Sequence, residues 1–440
     1  MAVSKAESKP IDLGRARRTA VIVFFTFMLV HQVDKLLIGP LQTPIMDTFH
    51  MDYTQWGLIN TGALITSSLC YPLWGWLNDK FHRGKLLGIS SFFWGATTWI
   101  SALAPSFSVF LVTRSSTGIA DSNYAGMYSL VSDYFPPKER GKIYGWLQLA
   151  QPIAYLLAMV LALFLGGAIG WRAVFYYTSA VGILVAILIW FTIKERPRGS
   201  GEEELEGVET SSYKFSWKLV GQVIVKKSMI FIFLQGFFGV FPWNAITYFF
   251  FGYLQTERGY SSDLQFMIMA PAVLFMALGY PLGGWLGDWL FKRTKRGRMI
   301  VSAFGVLMGT IFLWITMNIP NQNVVPFAIM LMATALFMPL ASANVVSTIY
   351  DISLPEIRSM SNSVESFVEN IGAAAAPLIA GAIADAVNVG SAILWICTVA
   401  WLLCCLFFIG AVIMVPHDID TLHNQLLERA EIEKAKQEAA

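Results

Sequence analysis

The chain has 440 residues, 55% of them hydrophobic and 14% charged, with a formal net charge of +2. A soluble chain carries about 25% charged residues, so this much apolar surface exceeds what a water-facing fold can hide, and the solvent is read as lipid. The small net charge gives no case for a nucleic-acid partner. The four cysteines, Cys70, Cys397, Cys404 and Cys405, lie in apolar runs without metal-ligand or disulfide spacing, so no metal or cofactor is expected.

In chain order, the segment 1–19 is polar and basic and has no apolar stretch ending at a cleavage site, so no removable signal peptide is expected. About twelve apolar runs follow, each around 20 residues long. The first six are 20–43, 55–77, 86–104, 107–134, 143–168 and 172–193, and the second six are 228–254, 263–290, 299–318, 325–350, 362–385 and 390–415. Lipid satisfies no backbone polar group, so all are predicted to be helices. Residues 20–193 and 228–415 are thus two expected six-helix bundles. Between them, 194–227 holds a basic Pro/Gly/Ser stretch and an acidic run from Glu202 to Glu209, and is read as a solvated linker. The tail, 416–440, carries both signs of charge and reads as a solvated helix from Asp420 on.

Lys and Arg collect at the N-terminus, in 80–85, 138–142, 194–227 and 292–298, at Arg358 and in the tail. The intervening loops 45–54, 104–107, 319–324 and 386–389 have none, with Arg172 and Arg258 as isolated exceptions. That alternation puts both termini in the cytoplasm of a multi-pass protein of the cell (inner) membrane.

The halves repeat. Tyr71-Pro72-Leu73-Trp74-Gly75-Trp76-Leu77-Asn78-Asp79 recurs as Tyr280-Pro281-Leu282-Gly283-Gly284-Trp285-Leu286-Gly287-Asp288, with seven of nine positions identical and a basic turn after each copy. Ser129, Asp133, Pro137 and Arg140 recur in register as Ser347, Asp351, Pro355 and Arg358. Parallel repeats that meet at the membrane midplane are one way to build alternating access.

On these residues the chain resembles the major facilitator superfamily, because Gly75 to Lys85 looks like that family's loop signature and the likeness covers nearly the whole chain. Val33-Asp34-Lys35, the pair Arg114 and Asp121, and Phe135 to Gly141 resemble the spinster-like branch and the organic anion:proton symporter branch. Those branches usually carry Arg after the first-helix Asp and Glu in place of Asp121, so the match departs at Lys35 and Asp121. The glycine-rich fifth-helix motif of drug:proton antiporters is absent from 143–168, which weighs against multidrug efflux.

Charges inside a bilayer cost about 2.5–3.5 kcal/mol each on insertion scales, yet the first half holds Asp34, Lys35, Arg114 and Asp121. Their depths match, and the seven-residue spacing of Arg114 and Asp121 puts them on one helix face. Asp34 and Asp121 are therefore expected to couple protons, with Lys35 and Arg114 holding each acid when ionised and binding an anionic head group when freed. The competing reading is a static ion network that pins the helices. In the second half, Asn362 and Glu365 fit a helix-capping box. Glu369 is either a cavity polar group or a third titrating acid, and it has no cation nearby in the sequence. The acids there admit a substrate with an amine or several hydroxyls. His31 is either a packing residue or a tuner of Asp34. Tyr124, Gln148, Gln151, Trp243, Asn244, Tyr248 and Asn344 are candidate substrate contacts, with helix–helix hydrogen bonding as the alternative.

Asp79 with Arg83, Asp288 with Arg296 or Arg298, and Asp133 and Asp351 with Arg140 and Arg358 are read as a cytoplasmic gate. No nucleophile elbow, metal pair or phosphate-cradling loop is present, so no enzymatic activity is expected. The expectation is an all-α transporter, acting as a monomer, that couples protons to a small organic anion. A lysophospholipid or other amphiphile is the alternative substrate. An uncoupled conduit or a permease-like sensor is the alternative of another class.

Overall fold

Proline, glycine and asparagine decide where the long helices stop and bend. The computed structural model describes residues 13–121, 123–135, 143, 146–195, 221, 224–353 and 358–438, and no strand occurs among them. Helix α1 (Leu13–Leu37) ends just before Gly39-Pro40, since a residue preceding proline disfavours the helical region, and a short α2 (Gln42–Phe49) follows. The first predicted span, 20–43, is thereby displaced about two turns toward the N-terminus. The first half continues with α3 (Tyr53–Lys80), α4 (Arg83–Ala102), α5 (Phe107–Asp121), α6 (Tyr124–Tyr134) and α7 (Ala150–Val160). A π-helical turn, Leu161–Leu165, then leads into α8 (Gly166–Ile169) and α9 (Trp171–Thr192).

The second half comprises α10 (Lys227–Thr256), α11 (Ser262–Phe291), α12 (Gly297–Met317), α13 (Val324–Phe337), α14 (Ser342–Asp351), α15 (Arg358–Ala386) and α16 (Val389–Glu438). A 3₁₀ turn over Met338–Ala341, with Pro339 inside it, joins α13 to α14. Among the described residues, nine segments are long and apolar enough to cross a membrane. The other three expected spans coincide with α3, α4 and the α5–α6 pair, whose Gly, Ser, Thr and Asn residues dilute their apolar character.

Packing repeats between the halves. α4 lies along α9 and α3 along α5 in the first; α12 lies along α16 and α11 along α13 in the second. The breaks repeat too. Asn123, between α5 and α6, stands six residues before Ser129, and Ala341, at the end of the 3₁₀ turn, stands six before Ser347. At the next layer the halves exchange roles. Asn78 of α3 fills the space over Gly126 of α6, whereas Asn344 of α14 fills the space over Gly287 of α11. Asn78 and Gly287 are matching positions of the nine-residue repeat, so one contact is built twice with knob and hole swapped.

α16 runs 50 residues, about 75 Å, more than twice a hydrocarbon core of about 30 Å. It passes Pro416 unbroken, so the predicted tail helix continues the last span. Beyond the membrane it is tied back by Asp418 to Ser228 and by Asp420 to Lys295. The predicted linker lies largely outside the described residues.

At the end far from the termini, the bundles are joined through α3, α10 and α15. Trp56 Nε1 donates to Tyr248 O at 3.0 Å and Thr61 Oγ1 to Ala374 O at 2.7 Å. Asp385, the penultimate residue of α15, accepts from the Tyr53 and Thr54 backbone N–H groups at 2.9 and 2.7 Å and from Thr54 Oγ1 at 2.5 Å. A carboxylate there meets the positive end of the α3 dipole. This distal end is closed.

Candidate functional site

Neighbouring residues on a helix point about 100° apart, so Asp34 and Lys35 of α1 face different partners. The four membrane charges accordingly form two crossed pairs. Arg114 Nη1 lies 3.7 Å from Asp34 Oδ2, and Lys35 Nζ lies 3.7 Å from Asp121 Oδ2. His31, one turn before Lys35 on the same face, places Nε2 2.9 Å from Asp121 Oδ1. Its Nδ1 is 2.5 Å from Tyr124 OH. A neutral ring with its proton on Nε2 accepts from Tyr124 at Nδ1, while Nε2 lies beside Asp121 outside hydrogen-bond geometry; a protonated ring forms an ion pair with Asp121. His31, read as a packing residue or a tuner of Asp34, thus stands against Asp121 and Tyr124.

The two acids differ in their surroundings. Asp34 is 1% exposed and accepts from Trp94 Nε1 (2.8 Å), Thr98 Oγ1 (3.1 Å) and Thr178 Oγ1 (3.0 Å), so α1, α4, α5 and α9 meet on one carboxylate. The Asp121 side chain is 13% exposed and that of Lys35 39% exposed. Asp34, Lys35 and Asp121 all line one cavity of about 30 Å³, together with Asn60, Arg114 and Tyr248. That volume holds a water and no organic solute.

A larger cavity, about 300 Å³, lies inside the second half, lined by Gln235, Trp243, Tyr280, Asn362, Glu365, Glu369 and Trp401 among others. Glu365 and Glu369 are within hydrogen-bonding reach of each other. The capping-box reading of Glu365 is overturned: α15 begins at Arg358, so Asn362 lies inside the helix and has no first turn to cap.

The weaker candidates divide. Trp243 and Tyr248 line cavities. Asn244 donates to Val240 O at 2.9 Å within its own helix. Asn344 donates to Gly283 O and Leu340 O at 3.0 and 2.9 Å, a helix–helix tie rather than a cavity edge. Gln148 Nε2 reaches Tyr128 OH at 3.3 Å, and neither it nor Gln151 lines either of these two cavities.

At the end nearer the termini, Arg298 holds Asp288 (Nη2 to Oδ1, 2.8 Å) and pairs with Asp351 through Nη1, so it is the partner of both acids. Arg83, 2% exposed, lies against Glu195 with Nε and Nη2 each 2.7 Å from Oε1. The side chains of Asp79, Asp133, Arg140 and Arg358 lie outside the described residues. Half-buried Lys226, just before α10, donates to Ile352 O at 2.8 Å. Burial lowers its ammonium below the ordinary lysine range, and nearby Asp418 works the other way.

Sequence reasoning missed Trp94, Thr98, Thr178, Glu195 and Asp385. Of these only Asp385, a lone acid in an alanine-rich helix end, carries a sequence signal.

The model of the family described as Major Facilitator Superfamily matches residues 21–347. Protein spinster of Drosophila melanogaster is 24% identical over 392 residues, covering 86% of this chain and 64% of that protein, so the chain spans just under two thirds of that relative. The cis,cis-muconate transport protein of Acinetobacter baylyi is 27% identical over 384 residues, covering 85% and 89%. A probable L-galactonate transporter of Escherichia coli is 24% identical over 397 residues, covering 85% and 84%. Among solved structures, a bacterial homologue of the human lysosomal transporter Spinster, inward-facing and unoccupied, superposes with a TM-score of 0.72 at 20% identity, covering 94% of this chain and 97% of that one.

Proposed function

The chain belongs to the major facilitator superfamily, and from that premise we propose that it is a proton-coupled secondary active transporter that carries a small organic anion by alternating access. The observation that carries this reading is the crossed quartet of Asp34, Lys35, Arg114 and Asp121, enclosed by four helices beside a water-sized cavity. The relatives named for muconate, galactonate and galactarate or D-glucarate support an acid as solute.

The two acids take different parts. Asp34, fixed by three neutral donors and Arg114, holds the guanidinium in place. Asp121 is the acid that exchanges its proton, because its side chain is the more exposed of the two, 13% against 2%, and its partners Lys35 and His31 can turn elsewhere. A proton on Asp121 cancels its hold on Lys35, and the ammonium is then free for a carboxylate or phosphate of the solute. Loss of that proton restores the Lys35–Asp121 pair and expels the anion. The solute anion and the ionised Asp121 thus compete for one lysine, so solute binding goes with proton uptake. Arg298 with Asp288 and Asp351 forms a gate element at the cytoplasmic mouth, and Asp385 holds the opposite mouth shut. The chain sits in the cell (inner) membrane with both termini in the cytoplasm, and acts as a monomer.

Vesicles reconstituted with the protein and given an inward proton gradient should accumulate at least one labelled organic acid, and a protonophore should abolish the accumulation. Entry that only equilibrates the acid, with or without the protonophore, would end the coupled reading in favour of an uncoupled conduit. A second reading, transport of a lysophospholipid or other amphiphile, has its own support. An apolar cavity of about 50 Å³ shares Trp243 and Met338 with the larger acidic one, and spinster is among the relatives. A labelled lysolipid in the same vesicles separates the two.

A further inference from the structure

The quartet does not use the larger cavity, and the chemistry of that cavity is opposite to that of the quartet. Among the described residues, its charged lining residues are Glu365 and Glu369, with no Lys or Arg. Two carboxyls within reach of each other repel when both are ionised. One of them, Glu365, is 4% exposed, and its Oε1 has no hydrogen-bond partner. Asn362 Oδ1, one turn earlier on α15, is a second buried acceptor without a partner. Unpaired buried acceptors are costly and call for donors. The remaining walls include Trp243, Tyr280 and Trp401, rings whose faces attract a cation. The volume, about 300 Å³, is at the small end of those that enclose organic ligands.

We propose that this cavity is a cation subsite that takes a primary ammonium group of the solute, its N–H donors directed at Glu365 and Asn362 and its charge shared by Glu365 and Glu369. Three features point to an organic ammonium. The unpartnered acceptors take N–H donors, the paired carboxyls favour a positive charge beside them, and the aromatic walls suit a carbon-bearing ion better than a hydrated metal ion. Resting on the transport reading above, this makes the solute one that carries an amine together with its anionic head group. The anion then engages Lys35 and Arg114 in one bundle and the ammonium engages α15 in the other. A solute held by both bundles gives them a reason to move together.

Isothermal titration calorimetry on the purified full chain tests this with three probes on one ring: cyclohexylammonium, cyclohexanol and cyclohexanecarboxylate, at constant sodium chloride. Cyclohexylammonium should bind at least about tenfold more tightly than the neutral isostere, and both Glu369→Gln and Glu365→Gln should remove that preference. Asp121→Asn should leave it intact while strengthening cyclohexanecarboxylate, because the neutral amide frees Lys35. Equal binding of cyclohexylammonium and cyclohexanol by the unaltered protein would overturn the cation subsite whatever the variants do. So would an ammonium preference that persists in both glutamine variants, or one that excess sodium removes. Failure of cyclohexanecarboxylate alone to respond to Asp121→Asn would count against the anion reading and leave the ammonium subsite standing.

Discussion

A carboxylate's neighbours decide whether it can move a proton or only hold a shape. Both acids line the water-sized cavity, but Asp34 has three neutral donors and a guanidinium around it, whereas Asp121 has an imidazole, an ammonium and the more exposed side chain. Asp121→Asn should therefore abolish gradient-driven accumulation while leaving exchange of solute across the membrane, because the amide mimics the protonated acid. Counterflow measured beside net uptake checks this; loss of both together would make Asp121 a structural residue. Arg114→Lys should weaken solute binding by about tenfold, since an ammonium cannot offer the planar fork that meets Asp34 and a head group at once. The affinity of labelled solute for the variant is the check. The four charges were legible in the sequence because apolar runs make any charge conspicuous. Their pairing was not, because it depends on how α1 and α5 are rotated about their axes. For the same reason the sequence left Asn344 open between a substrate contact and a helix–helix tie; its amide is spent on Gly283 and Leu340.

At the scale of elements, two contacts carry testable consequences. The Asn–Gly exchange between halves implies that either arrangement fills the same space. Gly287→Asn alone should overpack the α11–α14 contact, at a cost of about 1–3 kcal/mol. Adding Asn344→Gly should recover much of it, because the double variant reproduces the first-half arrangement of Asn78 over Gly126. Melting curves of the purified single and double variants decide; no recovery would mean the two contacts are not equivalent. The second contact is Asp385 on the N-terminus of α3. Asp385→Asn weakens charge-assisted bonds that close the distal end. It should raise the labelling rate of a cysteine at Ile59, which lines the quartet cavity, by about tenfold from that side. An unchanged rate, with the native cysteines replaced by serine, would show that the latch does not govern closure. Helix identities were readable because lipid leaves the backbone no other choice. Their ends were less so, since the first helix stops at Gly39-Pro40 and α15 starts one turn before Asn362, which removed the capping box.

For the whole molecule, repeat and charge alternation together define the architecture, and the two exceptions to the alternation have local causes. Arg172 donates to Ala102 O and Ala104 O at 3.1 and 3.2 Å and lies over Trp171. Arg258 bonds Tyr253 OH, Tyr260 OH and Ile319 O and lies 3.8 Å from the centre of the Phe327 ring. Both cations are consumed in tying helix ends and carry no weight for orientation. What the sequence could not convey is the state of the molecule, because sealing at one end arises from contacts between α3 and α15, more than 300 residues apart in the chain. The central claim is that solute and proton share one passage through Asp121 and Lys35. Its most direct test is proton movement itself: vesicles holding a pH-sensitive dye and no imposed gradient, to which a transported acid is added. The account predicts that the interior acidifies as the solute enters, and that Asp121→Asn vesicles take up solute down its gradient with no change in dye signal. Solute entry without acidification in the unaltered protein, or equal acidification in the Asp121→Asn and Asp34→Asn variants, would contradict it.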